Sequence, residues 1–254
     1  MKLRTIHHLA CSGGTIISKA IQAMKDTLVL SEIHPDSVYY RFNPFDPTQL
    51  LLAQTTLGQN RALKHRIFIH RIKECASLAS AAGATLVLRD HTHYDYTVQP
   101  TVAPASALLD VLSPHYELCS LVTVRHPLEA YMSLKANGWD KGVKDLNDYC
   151  LRFDTMVSHY QQRGAAFLRY EDFCANPHAF MRKVCQHLEL TYNPDFERII
   201  SDIPMTGDSG RGKAFREIKV LTPKAIPAEI ATRATHSKHY LRLAELFGYP
   251  TQFT

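Results

Sequence analysis

The chain has 254 residues, 45% hydrophobic and 21% charged, proportions ordinary for a soluble globular protein and sufficient for one large α/β domain. Its formal net charge of +5, with 14 histidines besides, favours an anionic ligand but is too diffuse for a nucleic-acid surface. Six cysteines without a C-x-x-C pair read as reduced thiols of a cytoplasmic protein, not as a disulfide framework. No run approaches the length of a membrane span, and Arg4, His7 and His8 interrupt the apolar stretch that a signal peptide needs.

In chain order, "LRTIHHLA" (3–10) predicts a first strand. "TIISKAIQAMK" (15–25) predicts a helix, with apolar Ile16, Ile17, Ala20, Ile21 and Met24 at helical spacing. "TLVL" (27–30) reads as a second strand, followed by an irregular stretch over 31–58. A long helix is expected from about Asn60 to Ala82, stopped by Gly83. "ATLVLRD" (84–90) and "LCSLVTVR" (118–125) are a third and fourth strand, separated by a polar loop and a short helix. Proline at a first helical position and Asn-Gly at the far end bound a helix over 127–138. A helix over 145–162, a fifth strand "AAFLRYE" (165–171) and a helix over 176–190 follow. The chain then carries a Gly-rich loop, "TGDSGRGK" (206–213), and a final helix near 227–247. Continuous apolar strands alternating with helices predict a parallel sheet of about five strands covered on both faces. Such sheets bind ligands at the carboxyl ends of their strands. The polar residues of interest fall there: Cys11 to Thr15, Arg89 to His93, Arg125, and Tyr170 with Glu171.

The turn "CSGGT" (11–15) has the elements of an anion cradle. Gly13 and Gly14 allow a sharp turn and close backbone approach, and the helix that follows offers free N–H groups at its positive end. Ser12 and Thr15 add hydroxyls, unless Ser12 merely caps the helix. It is not the loop of ATPases and GTPases, because Ser18 and Lys19 stand in the reverse order and no glycine opens the loop at the right distance. Arg125 closes the fourth strand and Ser133 follows eight positions later, about two helical turns on. Both would address one phosphate, the arginine through its planar fork, or else serve a salt bridge and a solvated face.

Together these stretches resemble the sulfotransferases that use 3′-phosphoadenylyl sulfate (PAPS). Ser12-Gly13-Gly14-Thr15 is similar to that family's 5′-phosphosulfate loop, which here would include Ile16. Arg125, Pro127 and Ser133 are similar to its 3′-phosphate motif in identity and spacing. "RYEDFCANPHAFMRKVCQHLEL" (169–190) looks like its Arg-Tyr-Glu-Asp…Asn-Pro segment, with Tyr170 near the adenine. "GDSGRGK" (207–213) looks like its late Gly-rich loop, which makes Arg211 and Lys213 candidate 3′-phosphate ligands. The family's catalytic histidine usually follows a central strand as Lys-Thr-His, and Arg89-Asp90-His91 is the matching stretch. His91 would then be the general base, with His93 in reserve and Arg89 as the charge partner; a histidine's ordinary pKa near neutrality suits the task.

The resemblance implies a single domain over 1–254 with a three-layer architecture like that of P-loop NTPases. It implies PAPS as donor, adenosine 3′,5′-bisphosphate (PAP) as product and no required metal. The acceptor would be a small-molecule, carbohydrate or lipid hydroxyl, bound by residues 34–60, the loop 92–104 and parts of the last third, with Glu32 and His34 as pocket candidates. Nucleic acid and a membrane span are not expected; an oligomer is compatible with the sequence. One departure stands out. Many family members carry lysine directly before the Ser-Gly-Thr turn, where Cys11 stands here, so Arg89 or Lys19 would supply the missing charge. Three other readings fit parts of the chain. "HTHYD" (91–95) matches the H-x-H-x-D core of a metal hydrolase. A P-loop-type kinase or NTPase would share the architecture, although the turn lacks a correctly placed lysine, and Cys11 suits a module that binds PAP or PAPS without catalysis.

Overall fold

Aliphatic runs with apolar residues on both faces make strands that must be covered from two sides. Five of them form one parallel sheet in the order β2–β3–β1–β4–β5. They are β1 (Lys2–His7), β2 (Thr27–Ile33), β3 (Thr85–Asp90), β4 (Glu117–Val124) and β5 (Ala166–Arg169). The structure is a computed structural model and describes residues 2–36, 59–207, 218–219 and 225–252. The helices are α1 (Gly14–Gln22), α2 (Arg61–Ala81), α3 (Ala107–Leu112), α4 (Pro127–Ala136) and α5 (Leu146–Gln162). They continue with α6 (Tyr170–Ala175), α7 (Pro177–Leu188), α8 (Phe196–Ile199), α9 (Ala228–His236) and α10 (Lys238–Phe247). The expected α/β class and five-stranded parallel sheet are what the structure has.

Alternate strand residues feed opposite faces. On one side Ile6, Val87 and Leu121 pack with Ile17 and Ile21 of α1 and with Phe180, Met181 and Val184 of α7. On the other, Leu3, Leu86 and Leu88 meet Ile72 and Ala76 of α2 and Leu108 and Leu112 of α3. Val122 and Val124 meet Tyr131, Phe153, Met156 and Leu243 on that same side. Each large aliphatic or aromatic side chain buried this way stabilises the fold by about 1.5–3 kcal/mol relative to exposure. β1 lies between β3 and β4; the chain passes from β1 to the edge strand β2, returns to β3 and then crosses to β4, and this reversal leaves a crevice at the carboxyl ends of the strands.

Several boundaries differ from the sequence reading; β1, expected to reach residue 10, ends at His7. β2 runs on to Ile33, because Ile33 pairs with Asp90 beyond a register shift that starts at Leu30. Tyr170 and Glu171, expected at the end of β5, open α6 instead. The single C-terminal helix is two helices, broken at Ser237, whose extended backbone lets its hydroxyl cap the amide of Tyr240. Among the described residues no helix is long and apolar enough to cross a membrane.

Candidate active site

The turn after β1 is built as a cradle. Cys11 and Gly13 both have positive φ, 64° and 79°, and Gly13 is the N-cap of α1 without any side-chain capping bond. Ser12 is not the cap. Its hydroxyl donates to the carbonyl of Leu9 at 2.6 Å and tightens the turn from beneath. The two glycines have separate reasons. A Cβ on Gly13 would lie 2.1 Å from the ring of Tyr170, and one on Gly14 would lie 2.0 Å from the ring of His8. One ring thus rests against each glycine. Thr15 and Ile16 complete the first turn of that helix.

On the His8 side stands Arg89, at the end of β3. Its Nε donates to His8 Nε2 at 3.0 Å and one Nη donates to Thr15 Oγ1 at 3.1 Å. The same Nη lies 2.7 Å from Glu32 Oε1, while the other donates to Ser31 Oγ and to the carbonyl of Thr206. Burial and the charge of Arg89 push the imidazole of His8 well below its ordinary pKa, so it stays neutral and accepts. Glu32 has a positive φ of 59° at the end of β2 and reaches His91 with its second oxygen, Oε2 to Nδ1, at 3.0 Å. Burial alone would push this carboxyl up; contact with His91 and the charge of Arg89 outweigh it and hold the group at about 2. The imidazoles of His91 and His93 stack with centroids 3.9 Å apart. Burial and the neighbouring His91 push His93 down to about 3.

On the Tyr170 side stands Arg125, just past β4. Its guanidinium lies 5.3 Å from the centroid of the Tyr170 ring, donates to the Cys11 carbonyl at 3.1 Å and pairs with Glu129 at 2.6 Å. Asn137 Nδ2 ties Cys11 Sγ to the carbonyl of Ser133, so the start of the turn and the second half of α4 are linked. Arg125 and Ser133 are both buried. Glu171 accepts from the amide of His126 and the hydroxyl of Tyr249, and Asp172 pairs with Arg169. Lys19, proposed to supply charge, is a buried residue of α1.

Sequence reasoning thus singled out residues that the fold brings to one end of the sheet: Ser12 to Ile16, Arg89, His91, His93, Arg125, Ser133 and Tyr170. Arg211 and Lys213 lie outside the described residues. The Gly-rich loop enters at Thr206 and Gly207, against Ser31, Arg89 and Thr15. His34 faces Asp95, with Nε2 3.0 Å from Oδ1, and the other oxygen of Asp95 accepts from the amide of Ala107. That takes Asp95 away from the metal-hydrolase pattern read in "HTHYD". Glu32 instead brings a ligand atom close to His91 and His93, all three within 4.8 Å of one another. His8 is the residue the sequence did not single out, and Glu32 has a second role. Only the pairing of β2 with β3, and the two-glycine contact, reveal them.

The model of the sulfotransferase family matches residues 9–194, and the chain belongs to the sulfotransferase family, a class of transferases. The fold is similar to the sulfotransferase domain of the olefin synthase of Synechococcus PCC 7002, at 14% identity and a TM-score of 0.59, over 98% of this chain and 95% of that one. It is similar too to the sulfotransferase domain from the curacin biosynthetic pathway, at 15% identity and a TM-score of 0.56, over 98% of each chain. A sulfotransferase from Alicyclobacillus acidocaldarius aligns over 98% of this chain and 97% of its own, at 12% identity and a TM-score of 0.50. These neighbours share the P-loop-like three-layer architecture. The sequence matches no curated protein.

Proposed function

We propose that this sulfotransferase uses PAPS as donor and an acceptor hydroxyl as substrate, with His91 as general base. The observation that carries the reading is one continuous chain of contacts: Thr15 on the turn, Arg89, Glu32, then His91. It joins an uncapped helix N-terminus to a histidine through a guanidinium and a carboxylate. The donor set suits a phosphosulfate: the first amides of α1, the Thr15 hydroxyl, the Arg89 guanidinium, and glycines where any Cβ would fill the space. PAPS supplies the activated sulfuryl group and leaves as PAP.

The residues then divide the work. Gly14 to Ile16 and Thr15 Oγ1 bind the 5′-phosphosulfate. Arg125, on the other side of the turn, binds the 3′-phosphate with Ser133, and Tyr170 stacks beside it. Glu32 at His91 Nδ1 fixes the proton there and leaves Nε2 to take the proton of the acceptor hydroxyl, stabilising the imidazolium that forms. Arg89 and the amides meet the charge that builds up on the departing phosphate, the task of the lysine that Cys11 replaces. His8 holds the guanidinium in that direction.

Incubation with PAPS and a panel of hydroxyl acceptors, with release of PAP followed by chromatography, tests the reading. Wild-type protein should release PAP when given its acceptor, and His91→Ala should be slower by at least about 100-fold. Equal release by His91→Ala would remove the histidine from the mechanism.

A further inference from the structure

We propose that Glu32, His91 and His93 form a three-ligand site for a divalent transition-metal ion of the zinc type, and that filling it silences His91 as a base. One ligand atom of each lies within 4.8 Å of the other two. One edge, Glu32 Oε2 to His91 Nδ1, is 3.0 Å. That is close to the edge of a tetrahedron built on metal–ligand bonds of about 2.0–2.2 Å. The two imidazoles stack at 3.9 Å and 38°, so they already stand as a pair.

Backbone pairing holds the group together. Ile33 pairs with Asp90, and the amide of His91 donates to the carbonyl of Ile33, which sets Glu32 on β2 beside His91 past the end of β3. His93 follows two residues on, at the entry to the π-helical turn Tyr94–Val98. Two imidazoles and one carboxylate suit zinc, cobalt, nickel or iron and are a poor set for magnesium or calcium. Three protein ligands leave a position open, as in reactive rather than structural zinc sites. Arg89 stays on Oε1 of Glu32 and leaves Oε2 to the metal. Its positive charge weakens the carboxylate as a donor, so the ion would exchange readily.

The metal takes the place of the proton between Glu32 and His91 Nδ1. The single proton of the neutral ring moves from Nδ1 to Nε2 as the metal binds, and Nε2 is the atom that has to accept one from the acceptor hydroxyl. The site would therefore act as an inhibitory switch, open to zinc when PAPS chemistry is not under way. The binding half stands on geometry alone, whereas the inhibitory half rests on the reading of His91 as base.

Cobalt(II) titration of the chelator-stripped full chain tests both halves, because tetrahedral and five-coordinate cobalt absorb in the visible and cobalt in water barely does. Bands that saturate at one equivalent and vanish on adding zinc are expected. His93→Gln and Glu32→Gln should each weaken cobalt by about tenfold or more, with the exposed His236→Gln as the unaffected control. Circular dichroism shows whether Glu32→Gln, which also loses an Arg89 partner, has folded; His93→Gln keeps the test alive if it has not. Absence of saturable bands, or unchanged affinity in folded His93→Gln, would overturn the site. Zinc that binds without slowing PAP release, with chelator making no difference, would leave the site standing and overturn the inhibitory half.

Discussion

Glu32 faces Arg89 and His91 at once, and that divides the work of the site. Its Oε1 aims Arg89 at the turn, while Oε2 faces His91. His8 holds the same guanidinium from the other side and does so only while neutral. Its pKa is depressed by burial first and by Arg89 second; His93 and His7 add to the depression, and Glu32 opposes it. A histidine with a depressed folded pKa contributes stability that is complete above its unfolded value of 6.5 and is lost as pH falls below it. Wild-type protein should therefore lose stability below pH 6.5 at a rate of up to about 1.4 kcal/mol per pH unit from this group alone. His8→Gln keeps an acceptor for Arg89 and removes the titration. Urea midpoints at pH 7.5 and 5.5 should differ less in His8→Gln than in wild type; equal differences would show that His8 is already charged. Nothing in the sequence marks His8 as different from His7. Both are buried, His7 in a chain of hydrogen bonds with Asp90 and Thr5, and His8 against the turn.

At the scale of elements, the turn into α1 is the part most legible in the sequence. Two glycines between hydroxyl residues indicated close backbone approach, and the structure gives each glycine its own ring. Gly14→Ala should force the His8 ring away, break its bond to Arg89 and leave Tyr170 in place. Gly13→Ala should disturb Tyr170 instead and add the strain of a positive φ, about 1–2 kcal/mol. Thermal melts should show both variants destabilised, and a histidine-resolved NMR spectrum should move His8 in Gly14→Ala only. A His8 signal unmoved in Gly14→Ala would mean that the contact is looser than drawn. Strands were legible because continuous aliphatic runs have few alternatives in a chain that alternates with amphipathic helices. Their ends were not. The extension of β2 to Glu32 and Ile33 depends on pairing with Asp90, about 57 residues away in sequence, and no local pattern encodes it. The break at Ser237 was hidden for a different reason: a serine within an apolar period reads as helix, unless its hydroxyl is known to cap.

Across the whole molecule, the polar machinery sits above a sheet pinned by a buried hydrogen-bonded row. Tyr160 of α5 reaches His7 at 2.8 Å, Asp90 at 3.2 Å and Ser106 at 3.1 Å, and Asp90 also contacts His7 and Thr92. That single hydroxyl ties α5 to β1, to β3 and to the N-cap of α3. Tyr160→Phe should cost about 1–3 kcal/mol by leaving buried acceptors unsatisfied. Denaturant titration should show the loss as a lower midpoint with the slope unchanged; a midpoint equal to wild type would assign the network no weight in stability.

Arg125 binds the far side of the same turn, joined to Cys11 and Tyr170 and paired with Glu129. The claim that this crevice holds a 3′-phosphorylated adenine nucleotide is tested most directly by calorimetric titration with PAP, run beside ATP–Mg²⁺. The account predicts saturable PAP binding, weaker binding of ATP–Mg²⁺, and PAP affinity reduced in Arg125→Ala by about 1.5–3 kcal/mol, the range for hydrogen bonds to a charged group. ATP–Mg²⁺ bound as tightly as PAP, or PAP affinity unchanged in Arg125→Ala, would contradict it.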